Sequence, residues 1–134
     1  EELNVNEVVL LKGEGFHLDT FFTPALNKDG YIVALIICNK ILDTQSKKNL
    51  FNYANDNNIP VFNIPENDAL GTKKQTGKFA VNALPLPGIL LRPDYFSNPA
   101  IDEQLGELGI KIKITPTTQF QLSGGSVHCV TNEL

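Results

Sequence analysis

The chain has 134 residues, the size of one domain, and a chain of this length buries roughly two-thirds of its unfolded surface without staples. Its 42% apolar and 19% charged residues exclude a disordered tail or a coiled coil, and no apolar window reaches the roughly 18–20 residues of a membrane span. The net charge of −4, from 11 basic and 15 acidic residues, argues against a dedicated nucleic-acid binder but leaves room for a cationic small-molecule substrate.

In chain order, residues 8–12 read as a short strand, broken by Gly13-Glu14-Gly15. Residues 16–23 are rich in aromatic and β-branched side chains and read as a strand ending at Pro24. Asn27-Lys28-Asp29-Gly30 is a turn cluster, so a hairpin is expected there. Residues 31–42 form a nearly continuous apolar strand. A helix follows over 44–56, capped by Asp43 or Thr44, with Lys47, Leu50, Phe51 and Ala54 on its packed face and Asn57-Asn58 at its end. Residues 59–64 read as the next strand, and the polar stretch 65–78 as a loop or lid, with Lys73 and Lys74 solvated.

A second strand pair is expected over 79–84 and 89–92. The second helix is punctuated clearly: Asn98 as cap, Pro99 at the first position, Asp102 and Glu103 in the first turn, Ile101, Leu105 and Leu108 as the apolar stripe, and Gly109 as the stop. Residues 110–115 alternate as a half-buried strand, and 120–122 and 127–134 supply the last strands around Gly124-Gly125. The order hairpin, helix, strand thus occurs twice and begins a third time, at unequal intervals, which predicts an α/β fold with mixed strand directions.

The chain holds no methionine and opens at Glu1-Glu2-Leu3, which reads as a piece of a longer protein. Cys38 and Cys129 show neither CxxC nor zinc-like spacing. Cys38 lies in an apolar run and reads as a buried core thiol. Free thiols and no visible signal peptide suggest the cytoplasm. No phosphate cradle or metal-ligand cluster is present in the sequence, so no cofactor is expected.

Two segments carry candidate chemistry. On a strand, His17 and Asp19 share one face, either a solvated outer face or a site with an acid/base and a carboxylate for a cation. The second is Gly124-Gly125-Ser126-Val127-His128-Cys129-Val130-Thr131. Its glycines permit close backbone approach or a bulge. On a strand Cys129 faces with Val127 and Thr131 while His128 points away, so His128 reads as structural. A cysteine nucleophile would then need His17, the other histidine, brought in by the fold. Arg92 reads as a structural salt bridge or a partner for a substrate carboxylate. Asn82 could contact a ligand from its strand but belongs to no discriminating motif.

The strand His17-Leu18-Asp19-Thr20, followed late in the chain by Gly124-Gly125-Ser126-Val127-His128-Cys129, resembles the amidinotransferase/arginine deiminase superfamily of guanidino-group-modifying enzymes. The repeat is similar to that family's pentein fold, a propeller of five modules. The resemblance covers residues 1–134 as one domain of about two and a half modules, the C-terminal portion of a larger pentein catalytic domain. It implies Cys129 as nucleophile, His17 as general acid/base, and Asp19, Gly124 and Gly125 as substrate-binding residues. It implies a guanidino substrate, arginine or a derivative, with hydrolysis or amidino transfer as the outcome. The N-terminal modules, which hold a further acidic residue in that family, are not matched by this chain; Asp43, Asp56 and Glu66 do not replace it. Either those modules or a second copy of the chain would cover the open edges. The other reading is a non-catalytic interaction module, because pentein-like folds also serve in ribosome binding. A cysteine peptidase would need an oxyanion hole that the sequence does not point to.

Overall fold

The computed structural model describes residues 8–14, 17–72 and 75–131, and two similar three-stranded sheets dominate it. In the first, β1 (Phe22–Leu26) and β2 (Ile32–Ile37) form an antiparallel hairpin, α1 (Thr44–Asp56) crosses over, and β3 (Val61–Asn63) returns parallel to β2. A parallel return requires such a crossover. In the second, β6 (Leu84–Leu86) and β7 (Ile89–Arg92) pair antiparallel, α2 (Pro99–Glu107) crosses over, and β8 (Lys111–Ile114) returns parallel to β7. Between them lies a small hairpin, β4 (Gly71–Thr72) with β5 (Gln75–Thr76). The short helix α3 (Thr118–Gln121) follows β8. The sheets are mixed and neither closes on itself.

Local chemistry explains the regular elements. The Asn27 side chain accepts from the backbone N–H groups of Asp29 and Tyr31 at 3.0 and 2.9 Å and so folds the β1–β2 turn. Asp43 caps α1 by accepting from Ser46 N at 2.7 Å. That contact, first through the Ser46 backbone N–H and then through its side chain, holds the Asp43 carboxyl below its ordinary range. Asn98 caps α2 by accepting from Ala100 N at 3.2 Å, with Pro99 as the first helical residue. Ser46, Leu50 and Ala54 are the buried face of α1, whereas Phe51 is exposed at its margin. Ser46 can face inward because its hydroxyl accepts from Lys12 N at 2.6 Å.

One core serves both sheets. It runs from Phe21 and the buried stretch Ala34 to Cys38, through Leu50, Ala54 and Ile64, to Leu90, Ile101 and Leu105. Burial removes water from Cys38 and pushes its thiol up, as expected for a core cysteine. The sheets are also joined by Gly88 N donating to Leu26 O at 2.9 Å and Thr23 Oγ1 donating to Ala83 O at 3.4 Å. Among the described residues, no helix is long and apolar enough to cross a membrane.

Several expected strands are absent or shifted. Residues 8–12 form no strand; only Gly13 bridges to Leu42. The strand expected over 16–23 is replaced by a 3-10 turn, Leu18–Thr20, and β1 then runs through Pro24. An edge strand tolerates this proline because its missing N–H costs no ladder bond. β2 stops at Ile37 because Ile41 N turns back to Cys38 O at 3.1 Å. The apolar run 79–83 is a buried turn, closed by Asn82 N donating to Phe79 O at 2.9 Å. The third repeat does not begin with strands: 120–122 overlap α3, and His128–Val130 is a second 3-10 turn. Residues 132–134 of that expected strand, and also Phe16, Lys73 and Lys74, lie outside the described residues.

Candidate active site

The first site segment is shaped by its own side chains. Thr20 donates its hydroxyl and its N–H to His17 O, at 2.5 and 3.2 Å, and Phe21 N donates to Leu18 O at 3.1 Å. This tight turn buries Thr20 and Phe21, leaves His17 and Leu18 exposed, and turns Asp19 half-buried toward the chain's other end. The alternation expected for a strand is therefore lost: Leu18 and Thr20 do not share an environment.

The second segment starts where α3 ends. Gly124, at φ +83°, occupies the left-handed conformation that lets the chain turn off the helix. A Cβ on Gly124 would meet nothing within 4 Å, so glycine is required here for the backbone conformation and not for space. Gly125 differs: a Cβ there would lie 3.3 Å from Cys129 Cβ, so its bare backbone makes room for the cysteine. Ser126 is buried with its hydroxyl 2.7 Å from that of Thr117. His128–Val130 then winds as a 3-10 turn, held by Val130 N on Ser126 O and by the Thr131 hydroxyl on His128 O.

This turn corrects the placement of His128. With about three residues per turn, neighbouring side chains fan out by about a third of a circle rather than pointing to opposite faces. His128 Nδ1 lies 3.0 Å from Asp19 Oδ2, and Cys129 Sγ lies 3.5 Å from the same oxygen. Asp19, His128 and Cys129 thus form one cluster, although the first comes from the opposite end of the chain. Asp19 Oδ1 is buried and has no hydrogen-bond partner.

A residue without a sequence motif ties the cluster together. Asn82 is fully buried in the turn before β6. Its side chain reaches Cys129 Sγ at 3.3 Å, Cys129 N at 3.4 Å and Asp19 O at 3.4 Å. The available signal was a lone polar residue in the apolar run Phe79-Ala80-Val81-Asn82-Ala83, because buried polar groups need partners.

Beside the cluster opens a cavity of about 380 Å³, within the size range of small-molecule sites. His17, Asp19 and His128 supply its polar wall and Phe22, Pro24 and Pro85 much of its apolar one. His17 is therefore brought to the same cavity as Asp19, while exposed Cys129 sits next to Asp19. Arg92 is not part of this site. Its buried guanidinium pairs with Asp102 and lies 3.7 Å over the Phe96 ring, so the structural reading replaces the substrate-carboxylate one. Glu66 is likewise engaged elsewhere, with Lys40 at 2.6 Å.

No protein-family model and no curated protein matches the sequence. Solved structures do. Apo ArgZ, an arginine dihydrolase from the ornithine-ammonia cycle in cyanobacteria, is similar at 28% identity and a TM-score of 0.64, over 90% of this chain. The chain has the fold of ArgZ. AgrE in a ternary complex with ornithine and NAD+ is similar at 24% identity and a TM-score of 0.70, over 89% of this chain. A variant of the N-terminal domain of ArgZ, covalently bound to a reaction intermediate, is similar at 22% identity and a TM-score of 0.64, over 89% of this chain. The resemblance to guanidino-modifying pentein enzymes is thus borne out in the fold, as mixed α/β sheets. The chain spans 16% of the ArgZ and AgrE chains and 39% of the ArgZ N-terminal domain.

Proposed function

We propose that this chain carries the cysteine half-site of a hydrolase acting on a guanidino compound such as arginine or a derivative. The observation that carries the reading is the convergence of Asp19, His128 and Cys129 within 3.5 Å beside a cavity that His17 also lines. The fold of an arginine dihydrolase, and the covalent intermediate on the ArgZ domain, support it.

The chemistry suits these groups. A guanidinium is planar and cationic, and a carboxylate orients it through paired N–H bonds. Asp19 is half-buried on the cavity wall, where its carboxylate can meet such a cation. The Cys129 thiolate attacks the electron-poor guanidinium carbon and forms a C–S bond. His17 gives a proton to the departing nitrogen as the C–N bond breaks, leaving a thiouronium on Cys129. His17 then takes a proton from water, whose oxygen attacks the same carbon, and the C–S bond breaks to restore the thiolate. An amine in place of water would give amidino transfer. Gly125 gives the cysteine its space and Gly124 shapes the turn before it.

Residues 1–134 are, in this reading, the C-terminal portion of a larger cytoplasmic pentein domain. Its remaining modules, or a second copy of the chain, cover exposed apolar side chains such as Tyr31 and Leu122. The test is ammonia release from arginine and related guanidino compounds, by this chain and by the longer protein. Turnover that disappears in Cys129→Ser and falls sharply in His17→Ala supports the reading. Full turnover in Cys129→Ser removes Cys129 from the mechanism.

A further inference from the structure

We infer that Asn82 is a positioning residue that clamps the Cys129 backbone and donates an N–H to its sulfur, an inference that rests on Cys129 being the nucleophile. The orientation of the amide follows from its neighbours. Cys129 N can only donate, so the Asn82 atom 3.4 Å away is the acceptor Oδ1. Asp19 O can only accept, so the atom 3.4 Å from it is the donor Nδ2. The same Nδ2 lies 3.3 Å from Cys129 Sγ. The sulfur therefore receives an N–H, a contact that strengthens when the sulfur carries charge.

The surroundings make that donor count. Asp19 Oδ2, 3.5 Å from Sγ, repels a charged sulfur and accepts from a neutral one. The other titratable groups nearby are His128, on the same Asp19 oxygen, and His17 on the cavity wall. Asn82 is fully buried, so its N–H does not exchange this bond for water. Its backbone adds a fourth tie, with His128 N donating to Asn82 O at 3.4 Å. Asn82 thus fastens the two site segments to the turn that precedes the second sheet.

The test reads thiol reactivity and needs no guanidino substrate. The chain is alkylated with iodoacetamide over a pH series, and labelling of each cysteine is followed by peptide mass. Buried Cys38 reports folding by staying unlabelled. Asn82→Asp keeps the size and the acceptor for Cys129 N but replaces the donor with an oxygen. Labelling of Cys129 near neutral pH is expected to slow about tenfold or more, with the pH–rate profile moved about one unit alkaline. Because Asn82→Asp also adds charge beside the sulfur, the uncharged Asn82→Ala is run with it; the profile is expected to move alkaline there too, and a merely structural role would not move it. An unchanged rate and profile in Asn82→Asp, with Cys38 still protected, overturns the inference and leaves the nucleophile reading standing. If the native chain labels Cys129 no faster than an unstructured cysteine peptide, both fall. Should the variant expose Cys38, the unmutated chain decides by NMR: the Asn82 side-chain N–H signals are expected to shift when Cys129 is alkylated, and unmoved signals overturn the inference.

Discussion

The two sheets and the two site segments follow opposite rules. Each sheet is a hairpin, a capped helix and a parallel return strand, packed into one core of aliphatic side chains. The site segments are short 3-10 turns, each held by threonine bonds to the nearby backbone and joined by a few polar contacts to Asp19 and Asn82. The sheets carry stability through buried apolar area, and the segments bring Asp19, His128 and Cys129 together through geometry. They meet at the turn before β6, where Asn82 faces the site and Ala83 accepts from Thr23 of β1.

If this division holds, substitutions in the two regions have separable effects. The largest is expected at Cys129: Cys129→Ser abolishes adduct formation, while its melting temperature stays within error because the residue is exposed. Breaking the second sheet's ion pair comes next. Arg92 is fully buried, and burial pushes its guanidinium below the ordinary value while Asp102 opposes that shift. Asp102→Ala leaves the charge without its partner and is expected to cost about 3–5 kcal/mol in urea unfolding. Leu50→Ala, in the core face of α1, is expected to cost about 2–5 kcal/mol. Asn98→Ala removes the α2 cap and is expected to cost about 1 kcal/mol.

The smallest effect is a pH dependence at the other helix. The folded state holds the Asp43 carboxyl below its ordinary value of 3.8, so the charged cap is favoured by folding. Its stabilising share is complete above that value and is lost as the pH falls through the lowered folded one. Asp43→Asn keeps an acceptor for Ser46 N but does not titrate. The variant is expected to lose less melting temperature than the parent between about pH 6 and pH 3. Equal losses would remove Asp43 from the acid response.

The sequence was most legible where a local signal decides the backbone. Asp43, Asn98 with Pro99, and Gly109 marked both long helices, and Asn27 with Gly30 marked the first hairpin. The sheets' mixed directions also followed from the repeated order. Which candidate residues lie together was partly legible: Asp19, His17 and Cys129 came from one resemblance, and the structure brings Asp19 to Cys129 and His17 to the shared cavity. Its conformation was not. Residues 16–21 and 127–131 look like strands because they are rich in aromatic and β-branched side chains, yet hydroxyl-to-backbone bonds from Thr20 and Thr131 favour turns. That error carried His128 to the wrong side. Asn82 has no motif because its contacts are to residues far along the chain, which no local spacing records.

The most direct test of the account is intact-mass spectrometry of the chain after exposure to a haloacetamidine, a guanidinium-like alkylating agent, with and without arginine. The account predicts a single adduct on Cys129, none on Cys38, slowed by arginine and lost in Asp19→Ala. An adduct that forms at the same rate with arginine present and in Asp19→Ala would contradict a guanidinium site at this cluster.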